Sequence, residues 1–117
     1  ALHALASKVQ MRLGEWRELT AEIIAATGRD PQEIGAVSVD FLQYSAYVLL
    51  AGLWLQAAAR AQDALEQGAG EEAFYQAKLA SADFYLRRVL PRASAHREAI
   101  QGGADCLMAL PESDFAF

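Results

Sequence analysis

Three observations on this 117-residue chain predict an all-α fold. Twenty-five residues are alanine, the strongest helix former, whereas only 11 are Val, Ile or Thr, whose stiff side chains suit strands. Apolar residues recur at steps of three and four along most of the length, the period of a helix buried on one side. Turn-forming glycines and prolines gather at a few points that divide the chain into long periodic stretches. The predicted architecture is an up-down bundle of three long helices, the third kinked at Pro91, with an irregular C-terminal tail. It forms a single domain over residues 1–117, since the length supports one core and is too short for two.

The first helix is predicted from about Leu2 to Thr27. Leu2, Leu5, Val9, Leu13, Trp16, Leu19 and Ile23 share one face, with Lys8, Glu15, Glu18, Glu22 and Arg29 opposite. Gly28 is expected to end it as a left-handed C′ residue. Gly14, worth about 1 kcal/mol less than alanine in mid-helix, marks a candidate close approach of a neighbour. No capping residue precedes this helix, which is expected of a piece of a longer chain. ALHALASKVQ lacks a basic leader followed by a long apolar core and does not read as a signal peptide.

Asp30-Pro31-Gln32-Glu33 is a strong start signal. Asp30 can cap, Pro31 lacks an N–H where none is needed, and Glu33 can close a capping box. The second helix then runs to about Glu66, with a break near Gly35–Ser38 left open. It is apolar on three faces: Phe41, Tyr44, Val48, Gly52 and Leu55; Leu42, Ala46, Leu49 and Leu53; Tyr47, Leu50 and Trp54. Two antiparallel neighbours cannot cover all three, so a partner chain or another part of the parent protein is expected on the last, making Tyr47, Leu50 and Trp54 a candidate packing interface. Phe41 to Ala59 has no charge and is long enough to cross a bilayer. However, Gln43, Ser45, Gln56, five alanines and Gly52 lower its insertion tendency, and Asp40 and Arg60 flank it without a basic cluster. A buried central helix is expected instead.

Gln67-Gly68-Ala69-Gly70 reads as a loop. Glu71 and Glu72 suit the first turn of the third helix, whose apolar stripe is Tyr75, Leu79, Ala82, Leu86, Val89, Ala93, His96 and Ile100. Pro91 removes one hydrogen bond and crowds the Arg87 carbonyl; the periodicity continues past it, so a kink is expected rather than a break. Gly102-Gly103 end the helix. The tail, with Leu107, Met108, Leu110, Phe115 and Phe117, lacks a helical period and is expected to lie along another surface.

A net charge of −5 and a pI near 4.9 argue against nucleic-acid binding, which needs a positive field. Cys106 is the single cysteine, so internal disulfides and multi-cysteine metal sites are excluded, and the chain contains no asparagine to accept N-linked sugar. Both features fit a cytoplasmic protein. Glu15, Glu18 and Glu22 lie together, but a carboxylate di-metal bundle also needs Glu-x-x-His, and neither His3 nor His96 has that spacing. His96 and Cys106 lack an orienting group or oxyanion donor that would make them base and nucleophile. No glycine spacing makes a phosphate loop. No catalytic, cofactor-binding or metal-binding residue is therefore assigned. Lys78, Ser81, Tyr85, Arg88 and Arg92 step by three and four along the third helix, forming a candidate docking or anion-binding stripe of donors.

FYQAKLASADFYLRRVLPRA, residues 74–93, resembles the C-terminal helical extension of a bacterial acyl-CoA dehydrogenase subgroup. The shared features are the Phe-Tyr, the Lys-Leu pair, a small-residue pair, an aromatic pair and the Leu-Pro. AYVLLAGLWLQAAARA and the ending LMALPESDFAF are similar to the same extension. The resemblance implies a parent enzyme that uses FAD to oxidise acyl-CoA to trans-2-enoyl-CoA. Its glutamate base and flavin-binding segments would lie outside this chain. It also implies that this domain packs on the dehydrogenase core or stabilises a homo-oligomer, and meets acyl-CoA only through the parent enzyme. Two other expectations come from the residues alone. One is a free-standing module that dimerises through Tyr47, Leu50 and Trp54; the other is a small-molecule pocket lined by Trp16, Phe84 and Trp54.

Overall fold

The computed structural model describes residues 2–115 and contains helices and turns only among them. Helix α1 spans Leu2–Arg29, α2 spans Gln32–Glu66 and α3 spans Glu72–Phe84. A π-helical turn, Tyr85–Val89, and a 3-10 turn, Leu90–Arg92, join α3 to α4, Ala93–Gln101. The three-helix up-down bundle predicted from composition and period is therefore the fold, the third helix being assembled from these pieces. The molecule is a slab of 68 × 33 × 16 Å.

The helix ends differ from the sequence-based expectation in instructive ways. Gly28 stays helical, and α1 continues to Arg29. The turn is closed instead by Asp30, whose main-chain N–H donates to the Ala26 carbonyl (2.9 Å). Its Oδ1 accepts from the Gln32 N–H (3.0 Å), the bond expected of an N-cap. Glu33 makes no capping box; its carboxylate accepts from the Ala104 N–H (3.2 Å) and ties the C-terminal segment to the start of α2. There is no break at Gly35–Ser38, because both glycine and serine stay within the 35-residue α2. In the second connection Gly68 and Gly70 adopt φ of 64° and 83°, a left-handed backbone that glycine takes without a Cβ clash.

Pro91 acts earlier than a simple kink would. With no N–H at 91, the helix widens beforehand, and the Leu90 N–H bonds to the Tyr85 carbonyl five residues back. The wider turn carries Leu86, within it, and Leu90, just after it, into the core at 1% and 2% exposure.

The core is built from Val9 and Leu19 of α1, Val37, Tyr44, Val48 and Ala51 of α2, and Tyr85, Leu86, Leu90, Ala93 and Ile100 of the third helix. Alanines at 51, 58, 61, 82 and 93 are fully or almost fully buried, so the helices can approach closely. Leu13 of the predicted first-helix stripe lies at the edge, 39% exposed, while Arg12 is buried. The tail does not lie down as expected: Leu107, Met108, Leu110 and Phe115 are exposed, and only Ala104 is buried near its start. Phe117 lies outside the described residues. Gly14 has open space where a Cβ would stand, with none of the described residues within 4 Å. Gly14→Ala is expected to stabilise the protein by about 0.5–1 kcal/mol, seen as a higher thermal midpoint. An unchanged or lower midpoint would contradict that placement.

Candidate functional site

The polar residues converge at one place, where α1, α2 and α4 meet. Arg12 falls three residues after Val9 and four before Trp16, on the inward side of α1. Its Nη1 donates to Glu15 Oε1 (2.8 Å), and its Nη2 donates to Ser94 Oγ (2.8 Å). The Tyr44 hydroxyl donates to the same Glu15 oxygen (2.9 Å), with the Arg12 carbonyl 3.2 Å away. Arg97 reaches Glu15 Oε2 (3.5 Å), while its buried Nε has no partner among the described residues. Glu15, expected on a solvent face, is thus the centre of this cluster. Around it, Trp16 Nε1 donates to Ser45 Oγ (2.9 Å) and His96 Nδ1 donates to Asp40 Oδ1 (2.8 Å).

Burial raises the Glu15 carboxyl, but hydrogen bonds from Tyr44 and Arg12 and the charges of Arg12 and Arg97 outweigh it and hold the group below its ordinary value. The Tyr44 hydroxyl is pushed strongly up, first by burial and then by the Glu15 carboxylate. Tyr85 is raised by burial and by Tyr47. The cluster is therefore built to keep Glu15 charged and Tyr44 neutral. The Glu15 contribution to stability is present above its unfolded-state value near 4.5 and is lost as pH falls through the lower folded-state value. For Tyr44 the contribution is present below 10 and is lost as pH rises towards the raised folded-state value. Urea midpoints measured at about pH 8 and about pH 11 should fall steeply in the native protein and less in Tyr44→Phe. Equal falls in both would dissociate Tyr44 from the alkaline loss.

The donor stripe read from the sequence is divided by the fold. Lys78 is half-buried, with its ammonium 5.1 Å from the Phe74 ring centroid, and Ser81 is exposed. Tyr85 is not a surface donor: it is buried, and its hydroxyl donates to the Tyr47 carbonyl (2.8 Å). Arg88 lies within the π turn and Arg92 in the 3-10 turn after it, so the widened backbone breaks the three-four spacing, and both are exposed without an ion pair among the described residues. The packing trio also separates. Tyr47 stacks on His96 at 5.8 Å between ring centroids, and Trp54 packs partly against the core. Leu50 remains exposed.

Nor do Trp16, Phe84 and Trp54 form one pocket. Trp54 and Phe84 border an open groove with Ala80, Ser81 and Tyr85, whereas Trp16 borders a separate one with Thr20 and Ile24. Cys106 is exposed, and its sulfur lies near the Gly102 and Gly103 carbonyls rather than in a site with a base. A cleft of about 390 Å³ lies between the end of α1, the start of α2 and the end of α4, edged by Glu22, Arg29, Glu33 and Gln101. Among the described residues no three His, Cys, Asp or Glu side chains gather as metal ligands. Sequence reasoning missed Arg12, Asp40, Ser94 and Arg97. The signal for Arg12 was its place in the three-four series Val9, Arg12, Trp16, Leu19, Ile23.

The described residues thus form an all-helical slab whose helices are stapled by the ion-pair cluster around Glu15. Residues 1–111 match the family described as acetyl-CoA dehydrogenase C-terminal like, and the chain belongs to that family. It is similar to the 3-methylmercaptopropionyl-CoA dehydrogenase of Ruegeria pomeroyi, at 34% identity over 109 residues. The match covers 90% of this chain and 18% of that protein, so the chain spans less than a fifth of the relative's length.

Proposed function

We propose that this chain is the non-catalytic C-terminal helical domain of an FAD-dependent, cytoplasmic acyl-CoA dehydrogenase, and that it packs on the dehydrogenase core or supports the oligomer. The observation that carries this reading is the family match over nearly the whole chain, joined to a dehydrogenase relative of which the chain spans a small part. The reaction, loss of an α-proton and a β-hydride from an acyl-CoA to give trans-2-enoyl-CoA, belongs to residues outside this chain. The residues here do not fit FAD. Its diphosphate calls for several converging N–H or cationic donors, but the cleft at the start of α2 sets the two carboxylates of Glu22 and Glu33 against the single guanidinium of Arg29. Bound FAD supplies the hydride acceptor elsewhere in the parent enzyme, and no step is assigned to this domain.

A self-standing dimer through Tyr47, Leu50 and Trp54 is less favoured, since the first and last of these are engaged within the chain. The test is to purify the full-length protein from its source and record its mass, its flavin absorbance and acyl-CoA-dependent dye reduction. A polypeptide much larger than 12.7 kDa with bound flavin and activity is expected. A polypeptide of the domain's own size, or one without flavin and activity, would overturn the reading. Reversing Arg88 and Arg92 to glutamate in that enzyme should impair assembly if their exposed guanidiniums dock on the core, and leave it intact if they meet only water.

A further inference from the structure

One face of α2 has no partner among the described residues. Val39, Leu42, Ala46, Leu49 and Leu53 follow one another at steps of three and four, the a and d pattern of a helix-pairing seam. All five are exposed, on the side opposite the fully buried Tyr44, Ala51 and Ala58. On one flank stands exposed Leu50; on the other stand Gly52 and Ala59, small residues that let a second backbone come close. A Cβ at Gly52 would meet nothing within 4 Å. No charge interrupts Phe41 to Ala59, and exposed Arg60 closes the seam where the next a position falls. This differs from the face named from sequence alone, because Tyr47 and Trp54 turn towards the third helix and the leucines turn outwards.

The size of the seam indicates what covers it. Val39, Leu42, Leu49, Leu50 and Leu53 are between 45% and 69% exposed. Together they present on the order of 500 Å² of apolar surface, among the larger patches that monomeric proteins show. A stable complex of separate chains buries about 800 Å² on each partner, so this seam alone falls short of holding a second copy. A partner on the same polypeptide needs less. The covalent link presents it at roughly millimolar effective concentration, and contacts between domains of one chain start near 600 Å² in total. More than four-fifths of the Ruegeria pomeroyi relative lies outside the matched region, which is ample length for such a partner. A bilayer fits less well. Although α2 is long and apolar enough to cross one, its inner side is tied to α1 through Ser45 and Trp16 and to the third helix through Tyr47 and Tyr85.

We infer that an amphipathic helix from the dehydrogenase portion of the same polypeptide docks along Val39, Leu42, Ala46, Leu49 and Leu53. It presents apolar residues at matching three-four spacing and an acceptor near Arg60. This rests on the chain being one domain of a larger dehydrogenase, and it adds the docking face, the partner and the register. The test places a benzophenone amino acid at Leu49, or separately at Leu42, in the full-length enzyme. A third variant carries it at the exposed polar position Glu18. Light and heavy isotope-labelled subunits are mixed before irradiation, and the linked peptides are mapped by mass spectrometry.

The expected result is links from both leucine positions, and none from Glu18, to one helical peptide of the dehydrogenase portion carrying the same isotope label. Mixed-label links from α2 to α2 would assign the seam to a second copy. Mixed-label links to the dehydrogenase portion would make the docking intersubunit. Links to lipid in added vesicles would assign it to a membrane. Each of these, or no link at all, overturns the inference. Flavin absorbance and acyl-CoA oxidation measured on the same samples separate the two failures. An active flavoenzyme that links elsewhere refutes the docking alone, whereas protein lacking flavin and activity refutes the enzyme reading beneath it.

Discussion

Replacing Glu15 with alanine is expected to destabilise the protein by about 2–3 kcal/mol, because the cations it serves stay behind without it. The Arg12 side chain is only 11% exposed, and with Glu15 gone its guanidinium keeps Ser94 as its one side-chain partner. Tyr44 would fall back on the Arg12 carbonyl at 3.2 Å, and Arg97 would lose its carboxylate. The figure sits below that for a fully dry pair, since Arg97 is 37% exposed and water can relax around it. Glu15→Gln keeps an acceptor while removing the charge and is expected to lie between. The double variant Arg12→Leu/Glu15→Ala, which removes the stranded cation as well, should recover part of the loss. Urea unfolding midpoints read all three. If Glu15→Ala costs less than the double variant, the cluster does not stabilise the fold as described.

Leu86→Ala is the other large effect, at about 2–4 kcal/mol. Leu86 is 1% exposed and belongs to the core cluster that includes Val9, Tyr44, Val48 and Leu90. It lies within the π turn, between α3 and the rigid Leu90-Pro91 step, so the backbone around it has little freedom to close over the void. For a domain of this size the thermal midpoint should drop by roughly 10 °C. Leu110→Ala, by contrast, truncates a leucine that is 61% exposed in the tail and should change stability by less than about 0.5 kcal/mol. Equal losses at the two positions would mean that the core is not centred where Leu86 lies.

Particular residues show why much of this fold was legible in the sequence. Leu5, Val9, Trp16, Leu19 and Ile23 were placed by a three-four count, as were Tyr75, Leu79, Ala82, Leu86 and Ile100, because a continuous helix leaves few choices of inward face. Asp30 was readable as a cap because it precedes a proline that needs no N–H partner. What could not be read was tertiary competition. Glu33 had a local use in a capping box, yet it serves the Ala104 N–H 71 residues away. Tyr85 had a local use in a donor stripe, yet it is drawn inward to the Tyr47 carbonyl. Period counting also assumes 3.6 residues per turn, so it carried the stripe through to Ile100 but missed Tyr85 and Leu90, which the wider turn buries as well.

The candidate site was less legible for the same reason. Arg12 stood on the apolar series, but a charged residue there becomes informative only once Ser94 and Tyr44 are brought beside it. On α2 the three apolar faces were visible, but which of them remains bare depends on how the third helix crosses it. The residues that carry the family resemblance are largely structural. Tyr85, Leu86 and Leu90-Pro91 make the π turn and the core beside it, so they identify the domain without marking a reactive group.

The connections described above also set an order of events as the chain is made. Two residues, 30 and 31, join α1 to α2, and residues 67–71 join α2 to α3, so each helix meets its chain neighbour after a short loop closure. Such low contact order favours folding within milliseconds, far faster than synthesis at about 5–20 residues per second. The α1–α2 hairpin can therefore form while the third helix is still inside the ribosome. At that moment α2 lacks every contact from Tyr85, Leu86 and Ile100, and its outer leucines are bare as well. The Arg12–Ser94 bond, which spans 82 residues, is among the last to close. The half-made chain is thus the form with the stickiest surface, and the passage from α2 to α4 is the interval in which a chaperone has most to shield.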